Sequence, residues 1–144
     1  MWGYHLEPGL VPKVFRNSVH FHPTLPEDQV IPELARCTFV YAMYPMVKRL
    51  RLFSITSMQT KLGSYIKARR PIFGQGPAES SLADFLNATG TGTMWNPTQT
   101  ERGLDILNKI MGLNPNLSQW QNAREQYFGE KNIELIKRSI LNLK

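Results

Sequence analysis

Residues 98–144 read TQTERGLDILNKIMGLNPNLSQWQNAREQYFGEKNIELIKRSILNLK, and this stretch decides the predicted fold class. Its apolar side chains recur every three or four residues, which is the spacing of one face of an α-helix. Glycine commonly ends a helix, so Gly112 and Gly129 divide the stretch into three short helices. The apolar stripes predict a cluster of antiparallel helices that pack through them. The stripes are formed by Leu104, Leu107 and Met111, then by Trp120, Ala123, Tyr127 and Phe128, and last by Ile133, Ile136, Ile140 and Leu143.

Two capping boxes are predicted at the starts of these helices. In a capping box, a Ser or Thr side chain and a Glu or Gln three residues later each satisfy an otherwise unpaired backbone N–H. Thr98 with Glu101 fits this pattern before the first helix, and Ser118 with Gln121 fits it before the second. The second helix is therefore expected to begin near Ser118.

Residues 1–32 hold five of the ten prolines of the chain. Proline removes a backbone donor and favours extended conformations in the residue before it, so these residues predict an extended arm. A short strand is expected at most, around residues 14–21. Glu27, Asp28 and Glu33 form a tight acidic group, which is typical of the start of a helical turn.

Residues 33–144 predict one small, mainly helical domain. A chain of 144 residues with 42% hydrophobic residues can build a core of its own. The domain divides into a basic segment at 33–70, a loop region at 71–97 and the helical cluster at 98–144. A short helix is predicted within the loop region at residues 81–88.

Positive charge is concentrated between Leu34 and Ala78, where eight basic residues and no acidic residue occur. The whole chain carries only +6, so the remainder sums to −2. Clustered charge of one sign repels itself and predicts an anionic partner. The predicted contact residues are Arg36, Lys48, Arg49, Arg51, Lys61, Lys67, Arg69 and Arg70.

The basic segment predicts a central helix that begins at Pro45, because apolar residues follow at helical spacing. Leu52 and Ile55 interrupt its polar face, so the basic residues do not separate cleanly from the apolar ones. Residues 38–41 and 55–56 have strand propensity, so a hairpin that turns near Pro45 is the alternative.

The histidines do not predict a metal site. His20 and His22 alternate around Phe21 and could share one face of a strand, but a third ligand is not evident. Exposed polar residues on an edge strand are the better interpretation.

Cysteine and glycine motifs likewise predict no catalytic or cofactor-binding residue. Cys37 lies beside Arg36, which would favour a thiolate, but its apolar neighbours predict a buried structural cysteine. Two glycine-rich stretches, at 73–77 and 89–93, lack the residues of a phosphate-binding loop and are interpreted as flexible connections.

No targeting or membrane-spanning segment is predicted. The N-terminus has neither the basic nor the apolar part of a secretory signal, so the protein is not expected to be secreted. The longest apolar run, at 38–47, is about half of the ~20 residues that a membrane span needs.

These features predict a non-enzymatic structural or accessory subunit of a larger assembly. The preferred setting is a mitochondrial complex of the respiratory-chain or ATP-synthase type, with the subunit peripheral to the inner membrane. Its basic residues would contact acidic protein subunits or anionic phospholipid. The alternative is an RNA-contacting ribosomal or mitoribosomal protein, and nucleic acid is the less favoured partner because cations are few. A small enzyme that uses His20, His22 or Cys37 is the third class considered.

Overall fold

Three short parallel strands form the centre of the molecule, and helices pack on both faces of this sheet. The computed structural model describes residues 11–21, 23–99 and 102–141. The strands are hydrogen-bonded in the order β1 (Val40–Met43), β2 (Ile72–Gln75) and β3 (Gly92–Trp95). The α-helices of the described residues are α1 (Glu27–Ala35), α2 (Arg51–Thr56), α3 (Lys61–Ala68), α4 (Ser81–Thr89), α5 (Gly103–Met111), α6 (Leu117–Phe128) and α7 (Glu130–Leu141). Two 3₁₀ helices span Lys13–Ser18 and Lys48–Leu50.

The strands follow one another in simple sequence order. Val40 lies opposite Ile72, and Ile72 lies opposite Gly92, so one register runs across the sheet. Parallel neighbours require crossover connections. α2 and α3 connect β1 to β2, and α4 connects β2 to β3.

The first face of the sheet carries the main hydrophobic core. Val40 and Ala42 of β1 and Ile72 of β2 pack there against α3, α4 and α6. Each fully buried large apolar side chain contributes about 1.5–3 kcal/mol. The buried helix residues of this core are Leu62, Ile66, Leu82, Phe85, Leu86, Trp120 and Ala123.

The second face of the sheet is covered by α5 alone among the described helices. Ile106 and Ile110 of α5 pack on Phe73, whose ring stacks between Tyr41 at 5.7 Å and Trp95 at 6.2 Å. α5 contacts β2 and β3, whereas Tyr41 on β1 is 40% exposed. Among the described elements, the cover of the second face is therefore complete over β2 and β3 and partial over β1.

The mainly helical class predicted from the sequence is confirmed, with a parallel sheet that the sequence does not predict. The basic segment forms neither a single helix nor a hairpin. It holds β1, the 3₁₀ helix at 48–50, α2 and α3, and β1 pairs with the distant β2. The strand propensity at 38–41 is realised in β1, but Ile55 and Thr56 lie in α2.

The extended N-terminal arm is not confirmed in the described residues. The strand predicted around 14–21 is wrong, because Lys13–Ser18 form a 3₁₀ helix. Of the acidic group, Glu27 and Asp28 do mark a helix start, since α1 begins at Glu27 directly after Pro26, whereas Glu33 lies in the last turn of α1. Pro26 supplies no side-chain cap, so the helix begins without a capping box.

The cluster of three C-terminal helices is also not confirmed, because α5 and α6 lie on opposite faces of the sheet. α5 buries Ile106 and Ile110, while Leu104 and Met111 of the predicted stripe are exposed. Both sets of residues have helical spacing, and contact with the aromatic side chains of the sheet determines which set is buried.

The apolar stripe predicted for α6 is correct. Trp120 and Ala123 are buried, and Tyr127 and Phe128 pack against the same core. The stripe of α7 rests on Ile133, Ile136, Ile140 and Leu143, whose side chains lie outside the described part of the chain.

The predicted helix ends are more accurate than the predicted starts. Gly112 directly follows the last residue of α5, Gly129 directly follows the last residue of α6, and α4 covers the helix predicted at 81–88 with one residue more. The capping box of α6 is formed by Asn116 and Gln119, two residues before the predicted pair. Thr98 instead bonds Asn96, and its predicted partner Glu101 lies outside the described residues.

Candidate functional site

The eight predicted basic contact residues divide between the two ends of the sheet. The strands are parallel, so residues that precede a strand and residues that follow one lie at opposite ends. The group at the amino ends of the strands consists of Arg36, Lys67, Arg69 and Arg70. The group at the carboxyl ends consists of Lys48, Arg49, Arg51 and Lys61. The charge that is continuous in the sequence therefore forms two surfaces rather than one.

The group at the carboxyl ends lies within a stretch that exposes large apolar side chains. Leu52 is 72% exposed and Phe53 is 51% exposed. We call the exposed side chains of residues 43–61 the 43–61 surface. Its apolar members are Met43, Met46, Val47, Leu50, Leu52, Phe53 and Met58. Contiguous exposed apolar surface is typical of an interaction site.

A cleft of about 580 Å³ opens in the 43–61 surface. Met43, Phe53 and Met58 supply apolar walls, and Thr60 and Lys61 supply a polar rim. Burial lowers the pKa of Lys61 by disfavouring its charged form. An acidic group placed beside Lys61 would favour its charged form and oppose this effect.

Gln59 gives the cleft an unsatisfied polar atom. Its Nε2 donates a hydrogen bond to the backbone oxygen of Met43. Its Oε1 is buried and has no hydrogen-bond partner among the described residues. A buried acceptor without a donor costs about 1–3 kcal/mol. This cost stays with the folded chain, because Oε1 has almost no surface that a ligand could reach.

Tyr44 and Ser81 hold the cleft in shape from below. Tyr44 is only 1% exposed, and its hydroxyl donates a hydrogen bond to the backbone oxygen of Ser57. Ser81, at the start of α4, donates to the same oxygen. The ring of Tyr44 also packs edge-on against Phe53 at 5.8 Å. The chain on both sides of the cleft is thus tied to the main core.

Arg51 is the one member of the carboxyl-end group with an ion-pair partner among the described residues. Its Nε lies 3.1 Å from Oε1 of Glu79, in the loop between β2 and α4. A hydrogen bond from its own backbone and a second one from Arg51 lower the pKa of Glu79. Both side chains are exposed, so the pair adds little stability. Lys48 and Arg49 have no acidic partner in the described part of the chain and remain available to an external anion.

The free edge of β1 is blocked by side chains. Val40 and Tyr44 donate their backbone N–H groups to β2 or its flank, so Tyr41 and Met43 point their backbone groups outward. The Tyr65 hydroxyl donates to the backbone oxygen of Tyr41 at 2.9 Å, and Gln59 donates to that of Met43. Covered edges resist pairing with another strand.

The carboxyl end of the sheet does not form a ligand-binding crevice of the usual α/β kind. Such crevices open where the strand order reverses, and the order β1-β2-β3 contains no reversal. Tyr44, directly after β1, is buried in the main core, and its hydroxyl bonds the backbone oxygen of Ser57. The two glycine-rich stretches are not flexible connections as predicted, since Gly74 lies in β2 and Gly92 lies in β3.

Cys37 and His20 do not contribute to the cleft. Cys37 is exposed rather than buried as predicted, with its Sγ 3.7 Å from the backbone oxygen of Glu33. It lies at the end of α1, where apolar neighbours in sequence turn inward and the thiol turns outward. His20 is exposed, and His22 and His5 lie outside the described residues. Within the described ranges, no three His, Cys, Asp or Glu side chains are close enough to hold a metal ion.

Known proteins offer no relative from which a site could be transferred. No protein-family model, no curated protein and no solved structure matches the chain. Of the helices that the structure describes, none has the length and apolar character to cross a membrane.

The sequence identified the basic residues of the 43–61 surface but not its cleft. Lys48, Arg49 and Arg51 beside Met46 and Val47 were visible as a mixed basic and apolar pattern. The role of Gln59 was not visible, because it depends on contact with a strand 16 residues earlier. The exposed apolar side chains have one signal in the sequence: Leu52 interrupts the polar face of the predicted central helix.

Proposed function

We propose that this protein is a non-catalytic accessory subunit of a larger protein assembly and that it joins the assembly through the 43–61 surface. One observation carries the proposal: residues 43–61 expose seven large apolar side chains, three of which (Met43, Phe53 and Met58) line a cleft that has Lys61 at its rim. Apolar side chains gain about 25 cal/mol per Å² when a partner removes them from water. Cations at the rim of such a surface favour and orient an acidic partner.

The rigidity of the surface supports a binding role. Tyr44 and Ser81 fasten the chain below the cleft by donating hydrogen bonds to the backbone oxygen of Ser57. A surface that is already in its bound shape loses less conformational entropy on association.

Protein is favoured over RNA as the partner. Single-stranded RNA binding relies on exposed aromatic rings that stack on bases. Tyr44 is buried, and Phe39 packs edge-on against Phe73 on the second face. The ribosomal alternative therefore keeps fewer stacking platforms than the sequence suggested. The mitochondrial inner-membrane setting, with acidic subunits or anionic lipid as contacts, stays a prediction.

Native size in the source cells tests the proposal. The tagged full-length chain is extracted in mild detergent and separated by native size, followed by mass spectrometry and an RNA assay. The wild type is expected far above the 16.5 kDa of a monomer, in a defined protein complex. Leu52→Asp should release the chain as a monomer, because a carboxylate would be buried in an apolar interface.

Leu104→Asp is the matched control. Leu104 is 65% exposed on α5, away from the 43–61 surface, so this variant should stay in the complex. A wild type that runs as a free monomer would refute the accessory-subunit role. Co-migration with RNA that is lost on ribonuclease treatment would replace it with the RNA-contacting role.

A further inference from the structure

The charge of the 43–61 surface specifies an acidic partner. Leu34 to Ala78 contain no acidic residue, and of the four carboxyl-end cations only Arg51 is paired within the described chain. A second copy of this protein would bring the same cations to the interface and would be repelled. Anionic groups of a partner would instead be attracted to the partly desolvated Lys61 at the rim of the cleft and to Lys48 and Arg49, which follow Pro45 of the cleft lining by three and four residues.

The blocked strand edge specifies how a partner approaches. Strand addition needs free backbone groups at a sheet edge. Tyr65 and Gln59 already occupy the outward carbonyls of Tyr41 and Met43. The partner therefore docks through side chains, which is the mode of an amphipathic helix lying in an apolar groove.

The cleft favours a protein over a membrane as the occupant. The walls of the cleft are concave and are lined by Met43, Phe53 and Met58. Side chains held in a fixed arrangement by a protein segment can fill such a recess, whereas a bilayer presents a broad surface of mobile chains. A cleft of about 580 Å³ also lies within the range that holds a ligand, so it has room for apolar side chains from successive turns of a helix.

We infer that the partner presents an acidic amphipathic helix, whose apolar side chains enter the cleft between Phe53 and Lys61 while its acidic flanks pair with Lys48 and Arg49. This inference rests on the proposed function and names the partner segment. The apolar anchors supply the affinity, and the acidic flanks supply selection against basic helices.

Binding of a synthetic peptide tests the inference. The probe is an 18-residue fluorescent peptide with Leu and Phe at helical spacing and Glu at the other positions. A matched peptide carries Lys in place of Glu, and vesicles of phosphatidylcholine with phosphatidylglycerol serve as the membrane probe. Fluorescence anisotropy with the full chain should show binding of the acidic peptide and none of the basic peptide.

Two variants locate the binding. Lys48→Glu/Arg49→Glu reverses the charge beside the cleft, and Thr60→Trp fills its rim at a residue whose side chain makes no helix cap. Each should weaken binding of the acidic peptide by about tenfold or more. Lys67→Glu/Arg69→Glu makes the same charge change at the amino ends of the strands and should change the affinity less than about twofold. Thermal unfolding of all three proteins establishes that they are folded.

The inference is overturned if the acidic peptide does not bind, if the basic peptide binds equally, or if Lys67→Glu/Arg69→Glu weakens binding as much as Lys48→Glu/Arg49→Glu. Binding of the vesicles without binding of the peptide would assign the surface to a membrane and overturn the inference as well.

The accessory-subunit role and the acidic-helix inference are contradicted by different results. A chain that binds the peptide but is monomeric in cells contradicts the accessory-subunit role. A chain that is assembled in cells, with an unaffected Lys48→Glu/Arg49→Glu variant, contradicts the helix.

Discussion

At the scale of single residues, Tyr44 has the largest effect on the site. Its hydroxyl is buried and bonds the backbone oxygen of Ser57. Tyr44→Phe should lower the free energy of unfolding by about 1 kcal/mol, because one buried hydrogen bond is lost while Ser81 still satisfies that oxygen. Urea unfolding measures the change.

Tyr41→Phe is the matched control for Tyr44→Phe. The Tyr41 hydroxyl lies 2.7 Å from Oε1 of Gln75, but both side chains are at the surface, where water replaces the bond. Its loss should change the unfolding free energy by less than about 0.5 kcal/mol. Equal effects of the two substitutions would contradict the assignment of Tyr44 as the buried anchor of the cleft.

Gly92 tests the close approach of β2 and β3, and Gly112, directly after α5, is the control. A Cβ on Gly92 would collide with the backbone oxygen of Ile72 on the neighbouring strand, and backbone cannot move aside as a flexible side chain can. Gly92→Ala should cost at least about 3 kcal/mol of stability. Gly112→Ala should be neutral or stabilising by about 0.4–1 kcal/mol, because Gly112 has a helical backbone and its nearest contact would be 3.6 Å away. Chemical denaturation of both variants measures the difference, and a mild effect at Gly92 would be incompatible with the β2–β3 pairing.

At the scale of elements, the start of α6 separates what the sequence predicts from what the structure shows. The sequence favoured Ser118 as the cap. In the structure, Asn116 Oδ1 accepts the backbone N–H of Gln119 at 3.0 Å, and Gln119 Oε1 accepts that of Asn116 at 2.9 Å. Asn116→Ala should cost about 1 kcal/mol of unfolding free energy. Ser118→Ala should cost clearly less, since its hydroxyl only donates to Asn116 Oδ1. A larger loss of unfolding free energy for Ser118→Ala than for Asn116→Ala, measured by thermal unfolding, would support Ser118 as the cap, as predicted from the sequence.

The difference between predicted and observed elements has a common physical reason. Helix ends depend on local chemistry, so the stops at Gly112 and Gly129 were predictable. The strands are only four residues long, and their pairing depends on residues 32 positions apart for β1 and β2 and 20 positions apart for β2 and β3. The same holds for the buried face of α5, where Ile106 and Ile110 were selected by contact with Phe73. Local periodicity cannot choose between two stripes that share one helix.

At the scale of the whole molecule, the order of the strands decides what kind of site is possible. A sheet without a reversal in strand order lacks the usual crevice, and Tyr44, which follows β1, is buried in the main core. Binding is therefore expected on the surface that surrounds this end of the sheet. The sequence located the charge and the apolar residues of that surface. The sequence could not show that the strands are parallel and therefore place Lys48 and Lys67 at opposite ends of the sheet.

The isolated protein is expected to self-associate as the salt concentration rises. The exposed apolar side chains attract one another, while Lys48, Arg49 and their neighbours repel. Salt shortens the range of that repulsion from about 30 Å at 0.01 M to about 3 Å at 1 M and leaves the apolar attraction in place. Light scattering of the purified chain should therefore increase with salt. Val47→Ser/Leu52→Ser should abolish the increase, whereas Leu104→Ser, a change at an equally exposed leucine of α5, should preserve it. If the scattering falls with salt, association is driven by attraction between the basic segment and the acidic remainder of the chain. That result would contradict the assignment of the 43–61 surface as the surface through which the chain self-associates.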